Sequence, residues 1–379
     1  MTTRRAPSDL QNALSPQCSL PKPSAAALPD PTASPQRPLS RRDCLLAAAG
    51  SLGAVGSLGA VGAFGAVGLF GAVGPRSTNA AEPDKTAGDA AGPTAGGWLK
   101  KSLKARMISL PNEPGWTARF AAAREAGFLG VEPQTPATLD TPLDVEALTS
   151  AAEQAGLIID GTVGGYHWKI RHTDPSETVR RQAAKLLALG LQQTADLGAD
   201  TFLLVPGHGK DGEAAVVRER ARMAIAEALP LAERLGVRIL LENVWNEMFY
   251  DPNGGTEQSA ADLAAFVDEF GSDRVGVQFD LGNHWKFGDV AAWVTTLSHR
   301  IGKLDIKGFS RAAGRFVDIG EGDIDWTAAR VALASIPFTG WVAAEVRGGD
   351  RDRLATIAKQ MDAALLCDLS RFEVLIPSQ

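Results

Sequence analysis

The chain has 379 residues, 45% of them hydrophobic, and its 38 Lys plus Arg against 44 Asp plus Glu give a formal net charge of −6. That balance excludes wholesale disorder and offers no global basic excess for a nucleic-acid backbone. Three cysteines exclude a disulfide scaffold or a Cys-rich zinc site, and five histidines argue against a multi-His metal cluster.

The N-terminal part is rich in Pro, Ser and Ala without an apolar period, and it ends in Ser40-Arg41-Arg42-Asp43-Cys44-Leu45-Leu46. From there to Gly74 charged side chains are missing, and the hexads SLGAVG, SLGAVG, AFGAVG and LFGAVG follow one another from Ser51. A twin arginine before a weakly apolar run resembles a Tat export signal, here over residues 1–80. The resemblance implies the twin-arginine export machinery as a partner and an exported, periplasmic or extracytoplasmic location. The alternative is an uncleaved membrane anchor over 44–74. Against it, glycine at nearly every third position makes a poor helix. Residues 81–98 read as a flexible Gly/Ala/Pro linker, and the folded domain is expected over 99–379. Cys367 is its single cysteine, so no intrachain disulfide is expected there.

From residue 99 onward, short β-rich runs alternate with amphipathic helical stretches. The expected strands are 105–110, 130–133, 158–161, 201–205, 238–243, 275–280, 301–307 and 341–346. The expected helices are 117–125, 144–154, 176–197, 214–235, 260–270, 290–298, 325–334 and 350–366. Gly127, Gly156, Gly198 and Gly236 stand where helix C-terminal stops belong. Eight such units in one domain predict an α/β fold, a single (β/α)8 TIM barrel. A doubly wound sheet is the rival, but no glycine-rich phosphate loop leaves an early strand.

Chemistry in such a barrel sits at the C-terminal ends of its strands. The fifth strand ends in Glu242, the sixth in Asp280 and the eighth in Glu345, and alternation along the seventh turns Lys303, Asp305 and Lys307 to the axis. Taken singly, each acid reads as a strand-end carboxylate bonded to a helix N-terminus or to a lysine. As a set of four on adjacent strands they repel one another unless a cation joins them. An all-oxygen set suits a hard divalent ion, Mn²⁺, Mg²⁺ or Co²⁺, better than Zn²⁺.

The segments LLENVWN (240–246), VQFDLGNHW (277–285), KLDIKGFS (303–310) and WVAAEVRGG (341–349) resemble the sugar phosphate isomerase/epimerase family of xylose-isomerase-like TIM barrels. GVEPQ (130–134) and GYHWKIRHTDP (165–175) add weaker support. The resemblance implies Glu242, Asp280 and Glu345 as metal ligands, with Glu242 and Glu345 doubling as an acid–base pair that moves a proton next to a carbonyl. The strand-seven ligand of that family is commonly His, and Asp305 stands at its position here. Glu132, Asn283 and His284 fall on substrate-contact stretches, and Lys307 reads either as a substrate contact or as a salt-bridge partner. The implied activity is isomerisation or epimerisation of a free or oxidised sugar through an enediolate.

Other polar residues carry two readings each. His167 with Trp168 makes a donor beside an aromatic wall for a sugar ring, or a core pair. His208, in the turn after strand four, is a hydroxyl partner or a solvated side chain. Arg311 neutralises an anionic group or faces water. The acidic run 318–325 lacks the terminal Glu of a calcium loop, and Asp325 reads as the cap of the helix beginning at Trp326. Two rivals share the fold: a lyase eliminating across a keto-sugar or inosose, and a sugar-binding barrel that has lost activity. Endonuclease chemistry on this fold needs a zinc cluster and many histidines, which the composition excludes.

Overall fold

An open parallel sheet leaves two unpaired strand edges, and curling it until they meet removes both. The computed structural model describes residues 99–113, 115–141 and 143–365, and it shows this closure. β1 (Lys100–Leu103) pairs in parallel with β11 (Trp341–Ala344). The order continues through β8 (Ile301–Ile306), β7 (Val275–Asp280), β6 (Arg238–Glu242) and β5 (Thr201–Leu204) to β4 (Thr162–Val163). β2 (Gly130–Val131) pairs with β3 (Ile158–Ile159) and fills the gap, through parallel bridges from Lys104 to Glu132 and from Gln134 to Val163. β3 and β4 are two halves of the third barrel strand, interrupted at Asp160-Gly161. The architecture is a (β/α)8 barrel.

The helices wrap it in chain order: α1 (Trp116–Glu125), α2 (Val145–Ala155), α3 (Glu177–Asp196), α4 (Ala214–Leu235), α5 (Ala261–Asp268), α6 (Leu281–Trp285), α7 (Val290–Leu297), α8 (Trp326–Ala334) and α9 (Arg351–Ala364). Gly156 and Gly236 end α2 and α4 at φ of 65° and 73°, where a side chain would be strained. Asp325 caps α8 by accepting from the Ala328 amide at 2.9 Å. The hydrophobic core lies between strands and helices, where Phe202, Leu204, Ile239, Leu241, Val277, Phe279, Leu304 and Ile306 are buried. Among the described residues no helix is long and apolar enough to cross a membrane.

Two elements differ from expectation. The first strand was expected over 105–110, yet it is Lys100–Leu103, and Ala105–Met107 forms a single 3-10 turn. The strand reads as polar because Ser102 and Lys104 point into the barrel, where Asp160 and Glu132 receive them. After β8 stands a hairpin of β9 (Gly308–Ser310) and β10 (Arg315–Val317), two strands absent from the expected set. The twin-arginine signal, the hexads, the anchor alternative over 44–74, the linker and Cys367 lie outside the described residues.

Candidate active site

Parallel pairing sets strand ends side by side. Register places Glu242 beside Gln278, Asp280 beside Asp305, and Asp305 beside Ala343, two residues before Glu345. One carboxylate oxygen from each of Glu242, Asp280, Asp305 and Glu345 lies within 4.8 Å of the others. Asp280 is fixed twice: it accepts from the Asn283 amide at 2.8 Å as the cap of α6, and Asn243 bonds its backbone at 2.7 and 2.9 Å. Asn283 Nδ2 in turn donates to Glu242 Oε1 at 3.2 Å.

Cations stand among these acids. Lys307 Nζ lies 2.7 Å from Asp280 Oδ2 and 2.6 Å from Glu345 Oε2, and Arg106 pairs with the other oxygen of Glu345. Lys104 joins Glu132 and reaches Asp305 Oδ2 at 2.9 Å. Beneath them, Lys303 Nζ bonds Glu132 Oε1 at 2.9 Å and Asp160 Oδ2 at 2.7 Å, while Gln278 Nε2 donates to Asp305 Oδ1 at 2.9 Å. Six carboxylates therefore meet four cations. Glu242 is the carboxylate of the cup that these ion pairs leave out. The donor set fits a hard divalent cation: four carboxylates at the ends of four strands, three buried and Glu345 partly so, each offering an oxygen to one point.

The two glutamates are driven apart. Burial, reinforced by Glu345 and Asp305, pushes Glu242 well above the usual carboxylate range. Burial acts on Glu345 too, but Lys307, Lys104 and Arg106 outweigh it and hold that carboxyl at about 2. Burial raises Asp305 to about 7 against the pull of Lys104. Two carboxyls pushed in opposite directions a few ångströms apart have the arrangement of an acid and a base.

A cavity of about 250 Å³ opens over the cup. One wall is aromatic: Trp245 stacks on Phe316 of β10 at 4.9 Å, and its indole donates to the Asn283 carbonyl at 2.7 Å. The lining also includes His167 and Trp168, whose rings meet edge-on at 5.8 Å. Burial lowers His167 to about 3, so its ring is neutral, and its Nδ1 accepts from the Val205 amide at 3.2 Å. Trp168 is 53% exposed, which leaves its ring open to the cavity mouth.

Glu132, His167, Trp168, Asn283 and Lys307 border this cavity with Glu242 and Glu345. His208, His284 and Arg311 do not. His208 caps a short turn, accepting from the Lys210 amide at 3.2 Å. His284 packs 3.8 Å from the Trp293 ring behind α6, and its Nε2 lies 3.1 Å from the Asp289 carbonyl. Arg311 lies flat on Trp285 and donates to the carbonyls of Trp285 and Gly288 at 2.7 and 2.8 Å, so its charge locks a loop. The acids of the 318–325 run are likewise structural, with Asp318 on Arg353 and Asp323 on Trp285 and the Arg311 amide. Lys104, Arg106, Trp245 and Phe316 border the cavity without having been singled out from sequence. Trp245 sits inside LLENVWN and was in reach, whereas Phe316 arrives on a hairpin with no sequence signal.

Residues 120–366 match the family model described as the xylose isomerase-like TIM barrel. The chain belongs to that family. Solved structures share the fold: an L-ribulose 3-epimerase superposes with a TM-score of 0.61 at 19% identity, covering 74% of this chain and 99% of that one. A D-tagatose 3-epimerase-like protein gives 0.60 at 18% identity over 73% and 99% of the two chains. The 3-keto-D-glucoside 4-epimerase of E. coli gives 0.57 at 17% identity over 70% and 98%. No curated protein matches the chain.

Proposed function

We propose that this chain is an exported, divalent-metal-dependent sugar epimerase or isomerase acting on a free or oxidised ketose. The observation that carries the reading is the convergence of Glu242, Asp280, Asp305 and Glu345 under an aromatic-walled cavity at the strand C-termini. Sugar epimerases among the structures that share its fold agree with it. The four carboxylates would hold Mn²⁺, Mg²⁺ or Co²⁺, and the bound ion would polarise the substrate carbonyl and stabilise the adjacent negative charge.

The remaining work belongs to the chain's own residues. Trp168 and the Trp245–Phe316 wall sandwich the apolar faces of a sugar, and Asn283 and neutral His167 supply polar contacts at its edge. Glu345, ionised, removes the proton on the carbon next to the carbonyl, and the electron pair moves into an enediolate. Glu242, the other member of the pair, delivers a proton drawn from solvent to the opposite face of that carbon or to its neighbour, which gives the epimer or the isomer.

The test is deuterium incorporation. The metal-loaded chain is incubated with a panel of ketohexoses and 3-keto-glucosides in D₂O and the sugars are read by mass spectrometry and NMR. Deuterium should appear next to the carbonyl, and Glu345→Gln should slow it by about 10²–10⁴-fold with folding intact. Retention of every sugar unlabelled would remove the reading. Release of an aglycone from the 3-keto-glucosides would instead favour elimination, which the aromatic faces flanking the mouth leave room for.

A further inference from the structure

In the carboxylate cup, the ammonium of Lys307 already occupies the place of a counter-ion. It contacts two of the four carboxylates, Asp280 through Oδ2 at 2.7 Å and Glu345 through Oε2 at 2.6 Å. This position is built into the backbone. α6 follows β7 without a spacer, and Gly282 in its first turn packs directly on the Lys307 stem. A Cβ at Gly282 would stand 2.4 Å from Lys307 Cγ and 2.8 Å from the Lys307 carbonyl oxygen. The φ of Gly282 is not in the left-handed region, so the glycine is explained by this close approach. Lys307 Nζ also lies 4.9 Å from the centre of the Phe316 ring, at the edge of the cavity.

We infer that Lys307 competes with the divalent cation for the cup, so that metal loading and the Lys307 ion pairs exclude each other. The inference rests on the metal-binding reading given above. A hard divalent ion needs short bonds to the same carboxylates that the ammonium now holds, and two cations sharing two carboxylates in one cup repel strongly. Among the described residues no ion pair includes Glu242, and Asp305 is held by Lys104, so neither is tied up by Lys307. The consequence is a weakened and tunable affinity: the metal binds only by expelling Lys307, and an expelled Lys307 is released to solvent and to ligand.

Two measurements on the full-length chain test this. Isothermal titration with Mn²⁺ should show Lys307→Met binding at least tenfold more tightly than wild type, while Lys359→Met, which removes the same charge from an exposed face of α9, leaves affinity unchanged. In the wild-type chain, reductive methylation followed by peptide mass spectrometry should find Lys307 protected in EDTA and modified several-fold faster at saturating Mn²⁺. The second arm needs no variant and decides the matter if Lys307→Met does not fold. Equal or weaker Mn²⁺ binding by Lys307→Met, or a Lys307 modification rate that ignores saturating Mn²⁺, overturns the competition and leaves the metal site standing. Binding by neither wild type nor Lys307→Met overturns both.

Discussion

Lys303 is the buried keystone beneath the site, and its removal makes the sharpest test of how the polar interior is held. Its ammonium lies 2.9 Å from Glu132 Oε1 and 2.7 Å from Asp160 Oδ2, and all three side chains are without solvent exposure. Replacing Lys303 with Met preserves the stem and leaves two carboxylates short of a partner. Glu132 keeps Lys104, but Asp160 keeps only the Ser102 hydroxyl at 2.6 Å. Stranding a buried charge costs about 3–5 kcal/mol, a large part of the roughly 5–15 kcal/mol that holds a domain together. Asp160→Asn in the same chain removes the stranded charge and should recover at least half of the loss.

The assay is urea unfolding of wild type, both single variants and the double variant at pH 7, read as a thermodynamic cycle. A coupling of about 2 kcal/mol or more is expected. Acidification supplies a second readout. Burial already raises Asp160 above the ordinary carboxylate range despite Lys303. Without Lys303 it rises further, so the folded variant takes up a proton that the unfolded chain does not. The penalty of Lys303→Met therefore shrinks as pH falls. A loss below about 1 kcal/mol, or strict additivity with Asp160→Asn, would refute the argument that these charges are mutually dependent.

Three further outcomes follow from particular contacts. Burial lowers His172 from 6.5 to about 4, so on acidification the unfolded chain gains its proton first and stability drains away between those values. The stability gap between wild type and His172→Gln should narrow by about 2 kcal/mol from pH 7 to pH 5, and a constant gap would contradict it. Phe316 is 41% exposed on its hairpin, so Phe316→Ala should leave the melting temperature nearly unchanged while raising KM for the substrate about tenfold. An unaltered KM would remove the aromatic wall from the binding account. Asp325→Ala takes the cap from α8 and should cost about 1 kcal/mol in urea unfolding, whereas a neutral result would mean that the end of α8 is held otherwise.

The order of eight strand–helix units was legible because it rests on local chemistry. Helix caps such as Asp325, C-terminal stops such as Gly156 and Gly236, and apolar periodicity act within a few residues, and the folded chain repeats them nearly unchanged. The four acids of the cup were legible for the same reason: alternation along a strand says which residues share a face, and parallel register carries the ends of neighbouring strands to one mouth. What lies inside the barrel was decided by closure. Both faces of a barrel strand are buried, so polarity stops marking the outside, and β1 was displaced in the reading because Ser102 and Lys104 serve the interior. Gln278 meets Glu132 across 146 residues, and Lys104 meets Asp305 across the strand that closes the ring. Charges pair there by proximity in three dimensions, and sequence separation carries no trace of it. The same holds for His284, which a motif places at the mouth, and for Arg311, read as an anion partner or a solvated side chain: each is packed on an aromatic ring away from the cavity.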